Sequence, residues 1–151
     1  MLPARRHPAL TDAGLLIGRL AVGVIFIAHG WQKLTDTGHD GVAGSFAELG
    51  IPLPGLSAHF ATWVELLGGA ALVAGVLVPV AGVLIAMVMG GAFWYVHMDN
   101  GLYSREGGYE YVVVLGAIAL LFALVGGGRF SVDAVLWGRR EGAPERESAP
   151  A

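Results

Sequence analysis

The run LLGGAALVAGVLVPVAGVLIAMVMGGAFWYVHM, residues 66–98, passes 33 consecutive positions without an Asp, Glu, Lys or Arg. As one straight helix at about 1.5 Å per residue it would be about 50 Å long, well beyond a hydrocarbon core of about 30 Å. Pro79 resolves the excess. Its ring has no backbone N–H and clashes inside a helix but fits the first turn of a new one, so the run predicts two spans joined by a tight turn over residues 75–80. Working outward, the earlier of these two spans begins near His59 and carries Glu65 as its one full charge, and the later one ends at His97.

Two further spans flank this pair. Residues 13–34 form an apolar stretch interrupted by Arg19 and closed by His29, Gly30, Trp31, Gln32 and Lys33. Arg5 and Arg6 precede it in the manner of a signal peptide, yet its length, the internal Arg19 and the absence of a small-residue processing site predict a retained span. The fourth span starts at Tyr109 or Glu110 and stops near Val125, where Gly126, Gly127 and Gly128 follow. Trp63, Phe93, Trp94, Tyr95, Tyr109 and Tyr111 sit near span ends, where an aromatic belt belongs.

Composition agrees with this reading. The chain is 55% hydrophobic and only 14% charged over 151 residues, too little charge to present a mixed surface to water. It has no cysteine, which removes disulfides, thiol catalysis and thiolate metal sites. The predicted fold class is all-α, an integral membrane four-helix bundle over residues 1–137 that includes a short cytoplasmic amphipathic segment. That segment has Ser131 as cap and Asp133 in its first turn, and a disordered charged tail follows at 138–151. Arg5, Arg6, Arg129, Arg139, Arg140 and Arg146 put six basic residues on the side of the termini, against Lys33 and Arg105 on the other. The positive-inside rule therefore places both termini in the cytoplasm.

Glycines and prolines in the outward connection 35–57 disfavour a long regular element there, with a short interfacial helix expected over 42–49. Gly14 with Gly18, and Gly82 with Ala86 and Gly90, repeat at four-residue spacing and predict close helix approach. The small residues of 68–75 make the second span slender and central.

An ionised group in hydrocarbon costs roughly 2.5–3.5 kcal/mol near a helix centre, so each one requires an explanation. His29 and Lys33 are four apart and are expected to share a helix face. Glu65, His97 and Glu110 fall at the same outer level on the other spans. Glu65 reads either as a proton-handling carboxylate or as half of a helix-locking ion pair with Lys33 or His29. His29 is the better proton carrier because imidazole titrates near neutrality, while Lys33 offers fixed positive charge to an anionic or carbonyl-bearing ligand. Trp94 and His97, three apart, either border a flat aromatic ligand such as a quinone or serve as interface anchors. Arg105 is positioned to fold over this cluster. Arg19 stands apart toward the cytoplasm, where it snorkels or pairs structurally, or faces a polar cavity or an anionic head group. No compact spacing of ligands points to a metal. There is likewise no phosphate loop, no nucleophile elbow and no basic surface for nucleic acid.

Arg19, Gly23, Phe26, His29, Gly30, Lys33 and Leu34, then Phe46, Gly50, Ile51 and Pro52, then Glu65, Gly68, Gly69 and Gly75 follow one another in a recognisable order. Gly107, Gly108, Tyr109 and Glu110 continue it, and Gly126 with the run from Gly128 to Asp133 completes it. Over residues 15–136 the chain resembles the DoxX family of small four-span membrane proteins. The resemblance implies a bacterial inner-membrane protein, an oxidoreductase or a relation of a subunit of thiosulfate-to-quinone electron-transfer systems. It also implies a role in oxidative and thiol stress beside soluble superoxide-detoxifying and sulfur-transfer enzymes. Without cysteine this chain cannot carry a persulfide. The expected function is therefore a quinone-linked oxidoreductase subunit or redox-stress component. In it His29, Glu65 and Glu110 handle protons, and Lys33, Trp94, His97, Arg105 and Arg19 hold a quinone or quinol. Electrons come from a partner, and association with membrane lipid and with further copies of the chain is expected. A non-catalytic scaffold and a small-solute or lipid carrier are the alternatives.

Overall fold

A computed structural model describes residues 8–137, and every regular element in that range is helical. The predicted tail at 138–151 and the basic residues Arg5, Arg6, Arg139, Arg140 and Arg146 lie outside the described residues. Helix α1 (Pro8–Gln32) runs into a π-helical turn, Lys33–Thr37. Gly38, at φ +70° and ψ 161°, breaks the axis there and α2 (Gly38–Glu48) begins. The outward connection is thus more regular than expected, because Gly41 and Gly44 lie inside α2 and, of its glycines, only Gly38 and Gly50 adopt positive φ. Helix α3 (Pro54–Ala74) starts at Pro54 rather than near His59. Helix α4 (Val78–Ala92) continues into a second π-helical turn, Phe93–His97. Helix α5 (Glu110–Val125) and the short α6 (Val132–Trp137) complete the described chain.

Three stretches, Ala9–Glu48, Pro54–Ala74 and Val78–Asn100, contain helix long and apolar enough to cross a membrane. Helix α5 is apolar but has only 16 residues, a rise of about 24 Å.

Helices α1 and α3 run antiparallel in a seam made by missing side chains. A Cβ on Gly23 would sit 2.7 Å from the carbonyl oxygen of Gly69, and one on Gly69 would sit 2.7 Å from that of Gly23. Two turns further along α1, a Cβ on Gly30 would meet the Leu66 backbone nitrogen at 2.6 Å. Helices α4 and α5 meet the same way, with Gly82 against the carbonyl of Ala119. Of the four-residue repeats read from the sequence, Gly18 lies against the Phe122 ring and Gly82 is used, whereas Gly14 and Gly90 have open space. Helix α3 packs against α1, α2 and α4. Phe26, Leu72, Val78 and Ile85 are fully buried between the helices.

The α3–α4 turn is fastened from a distance. Gly75 caps α3 in the left-handed region and Pro79 falls in the first turn of α4. The first amides of α4 would be orphaned in an apolar setting, but the Asp133 carboxylate accepts Leu77 N–H at 2.8 Å and Val78 N–H at 2.9 Å. The Asp133 N–H in turn donates to Gly75 O at 2.9 Å. Ser131 Oγ accepts Ala134 N–H at 3.2 Å and caps α6, as its sequence position suggests.

Arg19 completes the fastening and does not snorkel. It is fully buried, and its two terminal nitrogens donate to Leu72 O and Phe130 O, both at 2.7 Å. The Leu72 carbonyl at the end of α3 otherwise accepts only the cap N–H of Gly75, at 3.2 Å, and a guanidinium fork can reach it and a loop carbonyl at once.

Two measurements test this packing. Gly69→Ala forces a backbone shift and is expected to cost about 1–3 kcal/mol, seen as a lower unfolding temperature in detergent, while Gly14→Ala, which meets nothing, leaves it unchanged or raised. Asp133→Ala, which removes a cap on a helix other than its own, is expected to lose about 1–2 kcal/mol in the same assay.

Candidate functional site

The opposite end of the bundle is hollow. A cavity of about 570 Å³ lies between the π-helical turn after α1, helix α2, the α2–α3 connection, helix α3 and the end of α4. Its wall is apolar, from Phe46, Leu49, Ile51 and Pro52 on one side to Val88, Ala92 and Val96 on the other. Lys33 and Glu65 interrupt that wall. Lys33 Nζ donates to Glu65 Oε2, with the carboxylate side chain 4% exposed and the lysine side chain 26% exposed. Glu65 is reached this way because α1 and α3 are held together by the Gly23, Gly30 and Gly69 contacts just described. A longer-backed seam would put the lysine out of range.

Both π-helical turns contribute to the cavity, Lys33 from the first and Tyr95, Val96 and His97 from the second. A π turn carries an extra residue in its hydrogen-bonded ring, and such turns occur frequently at functional sites. His97 Nδ1 lies 2.6 Å from Gly107 O. A carbonyl only accepts, so Nδ1 carries the proton, and the neutral ring is left with Nε2 as an acceptor.

Of the residues expected from the sequence to handle protons or hold a ligand, Lys33, Glu65 and His97 line the cavity and the others do not. His29 is exposed on α1, one residue and so about 100° of helix rotation from buried Gly30. It has no side-chain hydrogen bond among the described residues. Trp94 is 63% exposed and points away, its place at the cavity being taken by Tyr95. Glu110 Oε1 accepts Ser104 N–H at 2.7 Å and so secures the α4–α5 connection. Arg105 does not fold over the cluster, since its side chain is 81% exposed and pairs with Glu106 at 3.1 Å. Arg19 belongs to the fastening at the far end. Among the described residues no group of three or more His, Asp or Glu side chains converges as metal ligands would.

The residues that sequence reasoning passed over are the cavity's apolar wall and its hydroxyls. Phe46, Ile51 and Pro52 were visible as landmarks, and an apolar run within a glycine-rich connection was the available signal. Ser45 and Ser57 gave none.

Comparison with known proteins agrees with this architecture. The model of the DoxX family matches residues 14–98, more than half the chain and all of the cavity-forming elements. "Putative oxidoreductase CatD" of Bacillus subtilis (strain 168) is 29% identical over 132 residues, covering 87% of this chain and 93% of that protein. "Inner membrane protein YphA" of Escherichia coli (strain K12) is 34% identical over 125 residues, covering 79% and 87%. "Inner membrane protein YqjF" of the same organism is 26% identical over 129 residues, covering 84% and 95%. No solved structure gives a significant match. With the family model spanning the helices that build the cavity, and full-length relatives named as inner membrane proteins, this chain is a membrane protein belonging to the DoxX family.

Proposed function

We propose that this chain is a redox-linked protein of the bacterial inner membrane whose cavity receives a neutral, oxygen-bearing ring amphiphile of the quinone class. The observation that carries the reading is the Lys33–Glu65 pair set in the wall of a largely apolar cavity. A volume of about 570 Å³ lies within the range of about 300–1,000 Å³ usual for small-molecule sites. The pair also selects against anions. The charge of Lys33 is already matched by Glu65, so a thiosulfate-like ligand would bring a second negative charge beside the carboxylate, while a neutral carbonyl can accept a spare ammonium hydrogen without displacing it.

A quinone bound there supplies reversible two-electron, two-proton chemistry. The chain's own part is to hold the ring oxygens with Lys33, to hold or accept protons at Glu65 and His97, and to exclude water with the wall from Phe46 to Pro52 and from Val88 to Val96. His29, Glu110, Trp94, Arg105 and Arg19 have no ligand contact in this reading. Electrons pass to or from a partner, of which a soluble superoxide-detoxifying or sulfur-transfer enzyme and a second copy of the chain are the candidates. The basic residues near the termini support an orientation with the cavity end outward, and α5 then makes a fourth, short crossing with Tyr109 at the interface.

The filled half of the bundle supports binding over passage. Arg19, Phe26, Leu72 and Val78 are fully buried on the side away from the cavity.

Purification in mild detergent, followed by extraction and identification of quinones, tests the reading. The parent is expected to carry quinone and Glu65→Gln to lose at least nine-tenths of it while still eluting as a folded species. A parent with no more quinone than a membrane protein lacking a cavity, and with no saturable binding of added quinone, ends the assignment.

A further inference from the structure

The polar lining of the cavity is biased toward hydrogen-bond acceptors, because most of its donors are used within the protein. Ser45 Oγ donates its hydrogen to Gly41 O at 3.1 Å, and Ser57 Oγ donates to Pro52 O at 2.7 Å. Each hydroxyl has one hydrogen to give, so both face a ligand with lone pairs only. His97 spends its Nδ1 hydrogen on Gly107 O at 2.6 Å and keeps Nε2 as an acceptor in the neutral ring. Glu65 engages Lys33 through Oε2, and its Oε1 has no hydrogen-bond partner among the described residues. Against these four acceptors stand the remaining ammonium hydrogens of Lys33 and the Tyr95 hydroxyl, which serves in either sense.

A buried acceptor that meets another acceptor loses its water and gains nothing, and the cost is that of an unsatisfied polar group. A quinone presents carbonyl oxygens alone. Its reduced form presents the same ring with two hydroxyl hydrogens. We propose that the cavity is built for the dihydroxy, reduced form of its ring ligand and binds the hydroquinone in preference to the quinone, with His97 Nε2 as one of the acceptors that read the hydroxyl. This rests on the reading of the cavity as a quinone-class site and adds to it the redox state that the site favours. A site with this preference is served by a reaction that delivers a two-electron-reduced, doubly protonated ring to the membrane.

The preference is measurable with three probes of one shape, a short-chain benzoquinone, its hydroquinone kept reduced under anaerobic conditions, and the dimethyl ether of that hydroquinone. The ether keeps both oxygens and removes both hydrogens. Titration of the full chain in nanodiscs is expected to show the hydroquinone binding at least ten times more tightly than either other probe. His97→Asn is the diagnostic variant. The asparagine amide can replace Nδ1–H toward Gly107 O but has nothing at the position of Nε2, so the hydroquinone advantage over the quinone is expected to shrink at least threefold. Equal affinity for all three probes, or tighter binding of the quinone, overturns the redox preference and leaves the quinone-class reading standing. Failure of all three to saturate overturns both.

Discussion

A carboxylate and an ammonium held together in an apolar wall constrain everything around them. Glu65 is buried and Lys33 only partly so, and without the ammonium the carboxylate would be an uncompensated buried charge. Lys33 and Glu65 must therefore stay in contact, and that fixes the end of α1 against α3. Side chains at the α1–α3 seam would push the two helices apart and separate the pair, so the close approach of Gly23 to Gly69 and of Gly30 to Leu66 is the backbone condition for the ion pair. Helix α2 and its connection to α3 wall the cavity beside the same pair.

The two ends of the bundle solve one problem in opposite ways. At the α3–α4 turn, Arg19 and Asp133 are spent on backbone groups, two carbonyls for the guanidinium and two amides for the carboxylate. That end is fully packed and joins α1, α3, α4 and the segment leading to α6. At the other end, Lys33 and Glu65 are spent on each other, and the neighbouring hydroxyls and imidazole on nearby carbonyls. Space and unmatched acceptors remain there. The packed end, where Arg19 Nε alone among the described side-chain polar atoms is buried without a partner, gives stability, and the open end gives a place for a ligand.

The uncharged run at 66–98 and the position of Pro79 made two helices and their turn legible, since hydrocarbon thickness and proline geometry act locally along the chain. The level of Glu65, Lys33 and His97 was legible for the same reason. Facing was not. His29 misses the cavity because the buried face of α1 is set by Arg19, Phe26 and Gly30, which only the packing against α3 reveals. Asp133 was readable as a residue in the first turn of its own helix, but its hold on the start of α4 joins positions 55 and 56 residues apart in sequence. The roles of Ser45 and Ser57 depend on where each hydroxyl sends its hydrogen, and no spacing records that.

Placing the ligand is the most direct test of the account. A photoreactive benzoquinone carrying an azide on the ring can be irradiated on the protein in native membranes and its attachment sites mapped by mass spectrometry, with and without an excess of unlabelled quinone. The account predicts competable labelling confined to residues 45–52 of the α2–α3 region and 88–97 at the end of α4. Labelling spread over the exposed face of α5 and insensitive to competition would contradict it.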